Sequence, residues 1–239
     1  MSVSHTPAPM SPPKLGTVTV GQAPRADIMP TLDLHVPPGV ERVHVGVLDR
    51  LSDADIASQY APRPREQKMV TRLLDGRTVE VDARAVEAGV QRKLVELEDA
   101  GCTVVVVLCT AVFRGLRSRR VWLIEPDRIL PALVGGLVGP RRVGILSPIE
   151  MPLDAARRKW AALQIPPSVA VASPYAAGDD GIVAAARELQ RAGADALLMD
   201  GIGYVDRHRA AAARATGLTV LLSSDLVARV TGACFYEAP

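Results

Sequence analysis

A cysteine and a threonine follow the most apolar run in the sequence. Residues 104–108 read VVVVL, and Cys109 and Thr110 come directly after them. A short, uninterrupted apolar run is typical of a strand that is buried on both faces of a parallel sheet. Because ligands bind beyond the carboxyl ends of such strands, we predict that Cys109 and Thr110 face a binding pocket.

The position of Cys109 suggests two roles. Amide dipoles at the end of a strand lower the pKa of a thiol and favour the thiolate, which acts as a base or a nucleophile. The alternative is a small buried hydrophobic residue, since most free cysteines pack in this way. Cys102 opens the strand and Cys234 lies in the terminal segment, so Cys109 is the stronger candidate of the three.

Asp200 stands at the corresponding place after a second apolar strand, residues 194–199. A carboxylate there either faces a pocket or caps the next helix. Gly201 and Gly203 follow it, and glycines in such a turn allow a close backbone approach to a ligand or a positive φ angle.

The turn after the first strand offers groups that bind anions. Gly21 and Gln22 carry backbone N–H groups suited to an anionic oxygen, and Arg25 follows three residues later. A guanidinium holds a carboxylate through two hydrogen bonds. The cluster Arg207-His208-Arg209 offers the same chemistry after the second turn, although such arginines commonly pair with surface acids.

Several classes of site lack their usual motifs. The sequence contains no GxGxxG, GxxxxGK[ST], HExxH or GxSxG pattern, and its four histidines have no metal-ligand spacing. The three cysteines form no CxxC pair, so reduced thiols are expected. We predict a site without a metal ion and without another cofactor.

Composition points to a soluble α/β protein. The 239 residues are 48% hydrophobic but only 3% aromatic, and the net charge is +2, which gives no support for nucleic-acid binding. No apolar run approaches the roughly 20 residues that span a bilayer, and the N-terminus lacks a signal-peptide pattern. A cytoplasmic protein with no membrane partner is expected, and a homodimer is left open.

Strands and helices alternate along most of the chain. Residues 1–13 are rich in proline and serine and are predicted to be a disordered tail. Strands are expected at 14–20, 42–48, 104–108, 142–146, 168–172, 194–199 and 218–222, with helices between them, including 84–100, 127–138, 150–163 and 181–192. Two further runs, 69–74 and 78–82, are joined by Asp75-Gly76, which is a strong hairpin signal.

The first part of this pattern is repeated in the second. LGTVTVGQAPR resembles RVGILSPIE, and AGCTVVVVLCTAVF resembles AGADALLMDGIGY, with the copies starting roughly a hundred residues apart. Two similar α/β halves are therefore the preferred architecture, although any two strand–helix units share such a pattern.

Five motifs resemble the AroM family. They are TVGQAPRADIMP, VVLCTAVF, LIEPDRIL, ASPY and MDGIGY, and they occur in this order across nearly the whole chain after Lys14. The family is similar to the Asp/Glu/hydantoin racemase superfamily. That resemblance implies two flavodoxin-like parallel-sheet halves, related by a pseudo-two-fold axis, with a cleft between them. It also implies a first half of residues 14–116 plus 223–239 and a second half of residues 117–222.

In these relatives one cysteine from each half flanks the substrate and moves a proton at the α-carbon of a carboxylate, without a cofactor. The resemblance places Cys109 as the first-half cysteine, Gly21 and Gln22 in the first anion-binding turn, and Ser147-Pro148 in its second-half counterpart. Gly201 occupies the position of the second cysteine, in a motif that continues to Gly203 and Tyr204. Since glycine has no proton to give, racemisation by two thiols is not expected.

The resemblance leaves two functions open. One is a cofactor-independent racemase, isomerase or lyase acting on a small carboxylate or amino acid. In it, Cys109 is acid, base or nucleophile, Asp200 is a second candidate, and Arg25, Thr110 and the turn residues bind substrate. The other is a non-catalytic protein that binds a small molecule or has a regulatory role.

Overall fold

The computed structural model describes residues 13–63 and 67–235, and strands alternate with helices through most of them. The strands are β1 (Lys14–Thr19), β2 (Glu41–Gly46), β3 (Lys68–Arg72), β4 (Thr78–Asp82), β5 (Val104–Leu108), β6 (Trp122–Ile124), β7 (Val143–Ser147), β8 (Ser168–Val171), β9 (Ala196–Met199) and β10 (Thr219–Leu222). The helices are α1 (Met29–Asp33), α2 (Asp53–Tyr60), α3 (Ala83–Asp99), α4 (Pro126–Val138), α5 (Leu153–Lys159), α6 (Asp180–Arg191), α7 (Asp206–Thr216) and α8 (Ser223–Gly232). Of the predicted tail, residues 1–12 lie outside the described residues.

Two parallel sheets of four strands form the framework. Their strand orders are β2-β1-β5-β6 and β10-β9-β7-β8, and every neighbouring pair is parallel. If the strands of each sheet are numbered along the chain, the order is 2-1-3-4 in both. The prediction of an α/β fold with two similar parallel-sheet halves is therefore confirmed.

The central strands are apolar because helices cover both of their faces. Every residue of β5, β7 and β9 is buried. In parallel sheets the crossover helices shield both faces from water, which explains the absence of polar alternation in VVVVL. These three strands deliver the residues that follow them, at 109, 148 and 200, to the carboxyl edges of the two sheets.

An antiparallel hairpin, β3–β4, is inserted into the first half. Lys68 pairs with Asp82 and Arg72 with Thr78, and Gly76 in the predicted Asp75-Gly76 turn has a φ of 88°. Gly21 packs against this hairpin so closely that an added Cβ would overlap the Arg72 carbonyl oxygen. Glycine at position 21 is therefore required by backbone packing.

Local capping explains two helix starts. The Ser52 hydroxyl accepts a hydrogen bond from the Asp55 amide at 3.1 Å, and the Asp55 carboxylate accepts one from the Ser52 amide, which together form a capping box at the start of α2. Asp82 caps α3 by accepting from the Ala85 amide at 2.8 Å. The hairpin thus passes directly into the long helix.

Strand β6 differs from the sequence prediction, which ran residues 121–126 directly into a helix. Its three residues pair with β5 in the first sheet, and a strand this short carries too little pattern to identify from sequence. The sequence prediction began the second half at residue 117. Because β6 pairs with a strand of the first sheet, we now propose that the chain passes into the second half after Ile124.

The C-terminal helix α8 packs against α1 and α4, and a hydrogen bond of 3.2 Å joins His35 to Asp225. The contacts with α1 and His35 support the proposal that the chain returns to the first half, whereas α4 lies in the second half. Among the helices of the described residues, none combines the length and apolar character that a membrane span needs.

Candidate functional site

A cavity of about 610 Å³ lies where the carboxyl ends of the two sheets meet. Its lining comes from the segments after β5 (109–112), at the end of β7 (147–152) and after β9 (Asp200). Helix α5 adds Ala155 and Lys159, and the hairpin adds residues 67–70 and Glu80. Both halves and the hairpin therefore enclose one space.

Most of the wall is apolar. Met69 and Val70 come from the hairpin, Val112 from the segment after β5, and Ile149 and Met151 from the segment after β7. A pocket with an apolar wall and a few polar groups orients a ligand through those polar groups. The cavity thus suits a ligand that carries an apolar group.

Cys109 contributes a neutral thiol to this space. Its Sγ accepts a hydrogen bond from the Ala111 amide at 3.5 Å. Burial raises the pKa of the Cys109 thiol to about 11, although that hydrogen bond and the charges of Lys159 and Arg25 oppose the rise. The expectation of a lowered pKa was wrong, because desolvation outweighs the local amide dipoles. At neutral pH the Cys109 thiol is therefore protonated.

Asp200 forms an ion pair with Lys159. Their closest atoms, Asp200 Oδ2 and Lys159 Nζ, are 2.5 Å apart, and the two side chains are 1% and 7% exposed. Lys159 also donates to the Thr110 carbonyl oxygen at 2.7 Å, which links the second half to the first. Asp200 does not cap α7, whose N-cap is Val205.

The other oxygen of Asp200 is buried and has no hydrogen-bond partner in the described part of the chain. A buried acceptor without a partner is costly, and such groups are often associated with function. Of the two carboxylate oxygens of Asp200, only Oδ2 therefore accepts a hydrogen bond among the described residues.

A second carboxyl group lies close to Lys159. Burial raises the pKa of Asp127 to about 6, the charge of Glu125 adds to the rise, and Lys159 opposes it. Asp127 Oδ1 is also buried without a partner among the described residues. Lys159 therefore acts on two carboxyl groups: it forms an ion pair with Asp200 and its charge opposes the raised pKa of Asp127.

Five of the predicted site residues line the cavity. They are Cys109, Thr110, Ser147, Pro148 and Asp200. The Ser147 hydroxyl donates to the Ile149 carbonyl oxygen at 2.7 Å, so it shapes the segment after β7. The roles of these five residues in binding or catalysis stay predictions.

In the predicted anion site of the first half, the side chains of Gln22 and Arg25 form hydrogen bonds with other residues of the protein. Gln22 donates to the Leu48 carbonyl oxygen and accepts from the Leu74 amide, which ties the hairpin to the segment after β2. Arg25 is buried, donates to Asp27 at 2.7 and 2.8 Å and donates to the Tyr175 hydroxyl at 3.1 Å. Gly21, Gln22 and Arg25 are not part of the cavity lining.

The motif after β9, which includes Gly201, Gly203 and Tyr204, also makes its contacts within the protein. Tyr204 is fully buried, and its hydroxyl donates to the Ala172 carbonyl oxygen at 2.6 Å. A Cβ on Gly203 would overlap the Tyr175 hydroxyl, and one on Gly201 would lie 3.1 Å from the Tyr204 ring. These three residues are not part of the cavity lining, but a Cβ on Gly201 would lie 3.5 Å from Pro148, which is.

The arginines of the 207–209 cluster face acids instead of the cavity. Arg207 lies 3.8 Å from Asp179, and Arg209 lies 2.5 Å from Asp206. Within residues 13–63 and 67–235, no group of three or more His, Cys, Asp or Glu side chains is placed to hold a metal ion.

Sequence analysis missed Lys159 and the hairpin wall. Lys159 ends the run Arg157-Arg158-Lys159 in the last turn of α5, and such a run usually lies in solvent. Only the packing of α5 against the segment after β9 buries it. The hairpin itself was predicted, but its position over the cavity depends on its contacts with Gly21 and Gln22.

Comparison with known proteins identifies a family and a fold. Residues 15–234 match the family model described as AroM protein. A solved structure of unliganded arylmalonate decarboxylase has a TM-score of 0.59 and 15% identity, covering 95% of each chain. Allantoin racemase from Klebsiella pneumoniae has a TM-score of 0.57 and 12% identity, covering 92% of this chain and 86% of that one.

Aspartate racemase from Picrophilus torridus has a TM-score of 0.50 and 12% identity, covering 90% of this chain and 91% of that one. Comparison with curated protein sequences gives no match. At these identities the solved structures establish a shared fold.

Proposed function

This chain belongs to the AroM family, and we propose that it transfers a proton at the α-carbon of a small carboxylate without a cofactor. The observation that carries the proposal is the cavity in which Cys109 of the first half meets Asp200 and Lys159 of the second. The structural neighbours are named as a decarboxylase and two racemases, which supports this class of reaction. A cytoplasmic location remains part of the proposal.

Within this class, the site favours a reaction that needs one proton donor. Cys109 is protonated at neutral pH because burial raises its pKa to about 11. Gly201, at the position of the expected second cysteine, offers no side-chain proton. Loss of CO₂ from a substituted malonate gives an enediolate that a single acid can protonate. A two-base racemisation would need a second group, for which Asp200 is the candidate.

The wall supports the choice of substrate. Met69, Val112 and Ile149 surround the space next to Cys109, so a carboxylate with a bulky apolar substituent fits better than a small, wholly polar amino acid. The Lys159 ammonium, which lines the cavity, suits the carboxylate end.

The test incubates the protein in heavy water with a panel of candidate substrates and measures deuterium at the α-carbon. The panel contains amino acids, 2-aryl and 2-alkyl carboxylates, and substituted malonates. We expect α-deuteration, with or without loss of CO₂, for members that carry an apolar substituent. Cys109→Ala should abolish deuteration and Cys102→Ala, which alters a buried thiol at the start of β5, should retain it. Absence of deuteration across the panel would refute the proposal.

The alternative function, a non-catalytic binding or regulatory protein, is favoured by Gly201 alone. Thermal shift with the same panel separates the two. A compound that raises the unfolding temperature, is never altered, and binds equally well to Cys109→Ser would support the alternative.

A further inference from the structure

Lys159 has more hydrogen-bonding capacity than its protein partners use. An ammonium group has three N–H donors, and in the described part of the chain one is directed to Asp200 Oδ2 and one to the Thr110 carbonyl oxygen. Nζ also lies 5.3 Å from the centre of the Trp160 ring. The side chain lines the same cavity as Cys109, so one donor remains for a ligand.

The burial of Lys159 argues against an ordinary surface lysine. Its side chain is 7% exposed, and a buried ammonium is costly unless charged partners compensate. Asp200 supplies that compensation, and the charge of Lys159 also acts on the Asp127 carboxyl group. A lysine that only joined the two halves could do so at the surface without this cost.

Lys159 also acts electrostatically on the thiol. Among the charged groups that act on the pKa of Cys109, Lys159 lowers it most and Arg25 lowers it less, whereas Asp200 raises it. A lower pKa favours the thiolate. The cation and the thiol therefore influence the same region of the cavity. A negative charge placed between them would be stabilised by Lys159.

We propose that Lys159 is a catalytic residue of this site: its remaining N–H donates to the substrate carboxylate and stabilises the enediolate formed from it. This role rests on the proposed function. It assigns the anion-binding task to a side chain of α5, and Asp200 becomes the positioning residue that holds the ammonium in place.

The step balances as follows for a substituted malonate. The C–C bond to one carboxylate breaks, CO₂ leaves, and the electron pair of that bond enters the enediolate, whose oxygen accepts from Lys159. The Cys109 S–H bond then breaks, its proton forms the new C–H bond, and its electron pair stays on sulfur. The thiolate regains a proton from water that enters the open cavity.

The experiment compares steady-state kinetics of Lys159→Met, Lys159→Arg and Lys93→Met. Lys93 pairs with Glu96 on α3, away from the cavity, so Lys93→Met is the matched control and should behave as wild type. For Lys159→Met we expect kcat to fall by about 100- to 1000-fold, as for the loss of one oxyanion donor, with a rise in KM. Lys159→Arg should retain part of the activity because it keeps the charge.

A second measurement keeps the test independent of a folding defect. The double variant Lys159→Met/Asp200→Asn removes both charges, and circular dichroism should show a folded protein. At pH 9, alkylation of Cys109 by iodoacetamide, followed on its own peptide by mass spectrometry, should be slower in this double variant than in Asp200→Asn, which differs from it only at Lys159. Loss of the cation makes the thiolate less stable.

The outcomes separate the two proposals. If wild type is active and Lys159→Met stays within threefold of its kcat, the role of Lys159 is refuted and the proposed function stands. If wild type alters no member of the panel, the proposed function fails and the role of Lys159 fails with it. Equal Cys109 alkylation rates in Asp200→Asn and the folded double variant would also contradict the role.

Discussion

Lys159 Nζ lies 2.5 Å from Asp200 Oδ2, with both side chains almost wholly buried beside the cavity. Through the Thr110 carbonyl oxygen, 2.7 Å away, the same ammonium reaches the segment that carries Cys109. One cation thus connects the carboxyl ends of both sheets. Stability and the proposed chemistry consequently depend on the same contact.

Removing one partner of this pair should destabilise the fold strongly. Asp200→Leu leaves a buried ammonium without its carboxylate, and we expect the free energy of unfolding to fall by about 3–5 kcal/mol. Urea denaturation measures this change. The double variant Lys159→Met/Asp200→Leu should recover most of the loss, because it buries no unpaired charge.

The control for this prediction is the exposed pair Lys68–Glu80, in which both side chains are 56% exposed. Glu80→Ala should cost less than about 1 kcal/mol, as is usual for surface pairs. If Asp200→Leu and Glu80→Ala lowered the free energy of unfolding equally, the prediction that the buried ion pair is important for stability would be contradicted.

The Cys109 thiol should make stability fall at high pH. Its pKa in the folded protein is about 11, compared with an ordinary value of 9.0. Below pH 9 the thiol is protonated in both states, whereas between pH 9 and 11 the unfolded chain releases the proton and the folded chain keeps it. The stability contributed by the thiol is therefore lost as pH rises through this window, by up to about 1.4 kcal/mol per pH unit.

Chemical denaturation of wild type and Cys109→Ala from pH 8 to 11 measures this effect. The difference in unfolding free energy between them should change in favour of the variant as pH rises. The comparison cancels Cys102 and Cys234, whose pKa values burial also raises. A difference that stays constant over the whole range would contradict the buried neutral thiol.

A thiol at position 201 should add a second proton-transfer group. A Cβ on Gly201 would lie 3.1 Å from the Tyr204 ring and 3.5 Å from Pro148 Cδ, so the ring must move by a few tenths of an ångström. We expect Gly201→Cys to fold with a loss of about 1–3 kcal/mol and to racemise a chiral 2-substituted carboxylate faster than wild type. Chiral chromatography follows the reaction.

Gly201→Ala is the steric control for that variant, since it adds the same Cβ without sulfur. It should show the stability loss without faster racemisation. Equal racemisation by Gly201→Ala and Gly201→Cys would mean that the added thiol takes no part.

Local sequence signals were sufficient for the framework and for part of the site. Apolar runs located β5, β7 and β9, and therefore placed Cys109, Ser147 and Asp200 at the sheet edges. The Asp75-Gly76 turn located the hairpin. These features depend on short stretches of chain, which sequence pattern describes well.

The features that sequence missed depend on long-range packing. Lys159 is buried only because α5 packs beside Asp200, and the raised pKa of Cys109 results from desolvation by several segments together. Gln22 and Arg25 resembled an anion site, but the Gln22 amide donates to the Arg72 carbonyl oxygen of the hairpin, and Arg25 donates to Asp27 and Tyr175. None of these partners is adjacent in sequence.

The stereochemistry of protonation tests the central claim most directly. If Cys109 is the sole proton donor, protonation comes from one face of the enediolate. Decarboxylation of an unsymmetrical 2-aryl-2-alkylmalonate in heavy water should then give a monocarboxylate with one α-deuteron and one configuration, and Cys109→Ala should give none. A racemic product, or equal turnover by Cys109→Ala, would contradict the account.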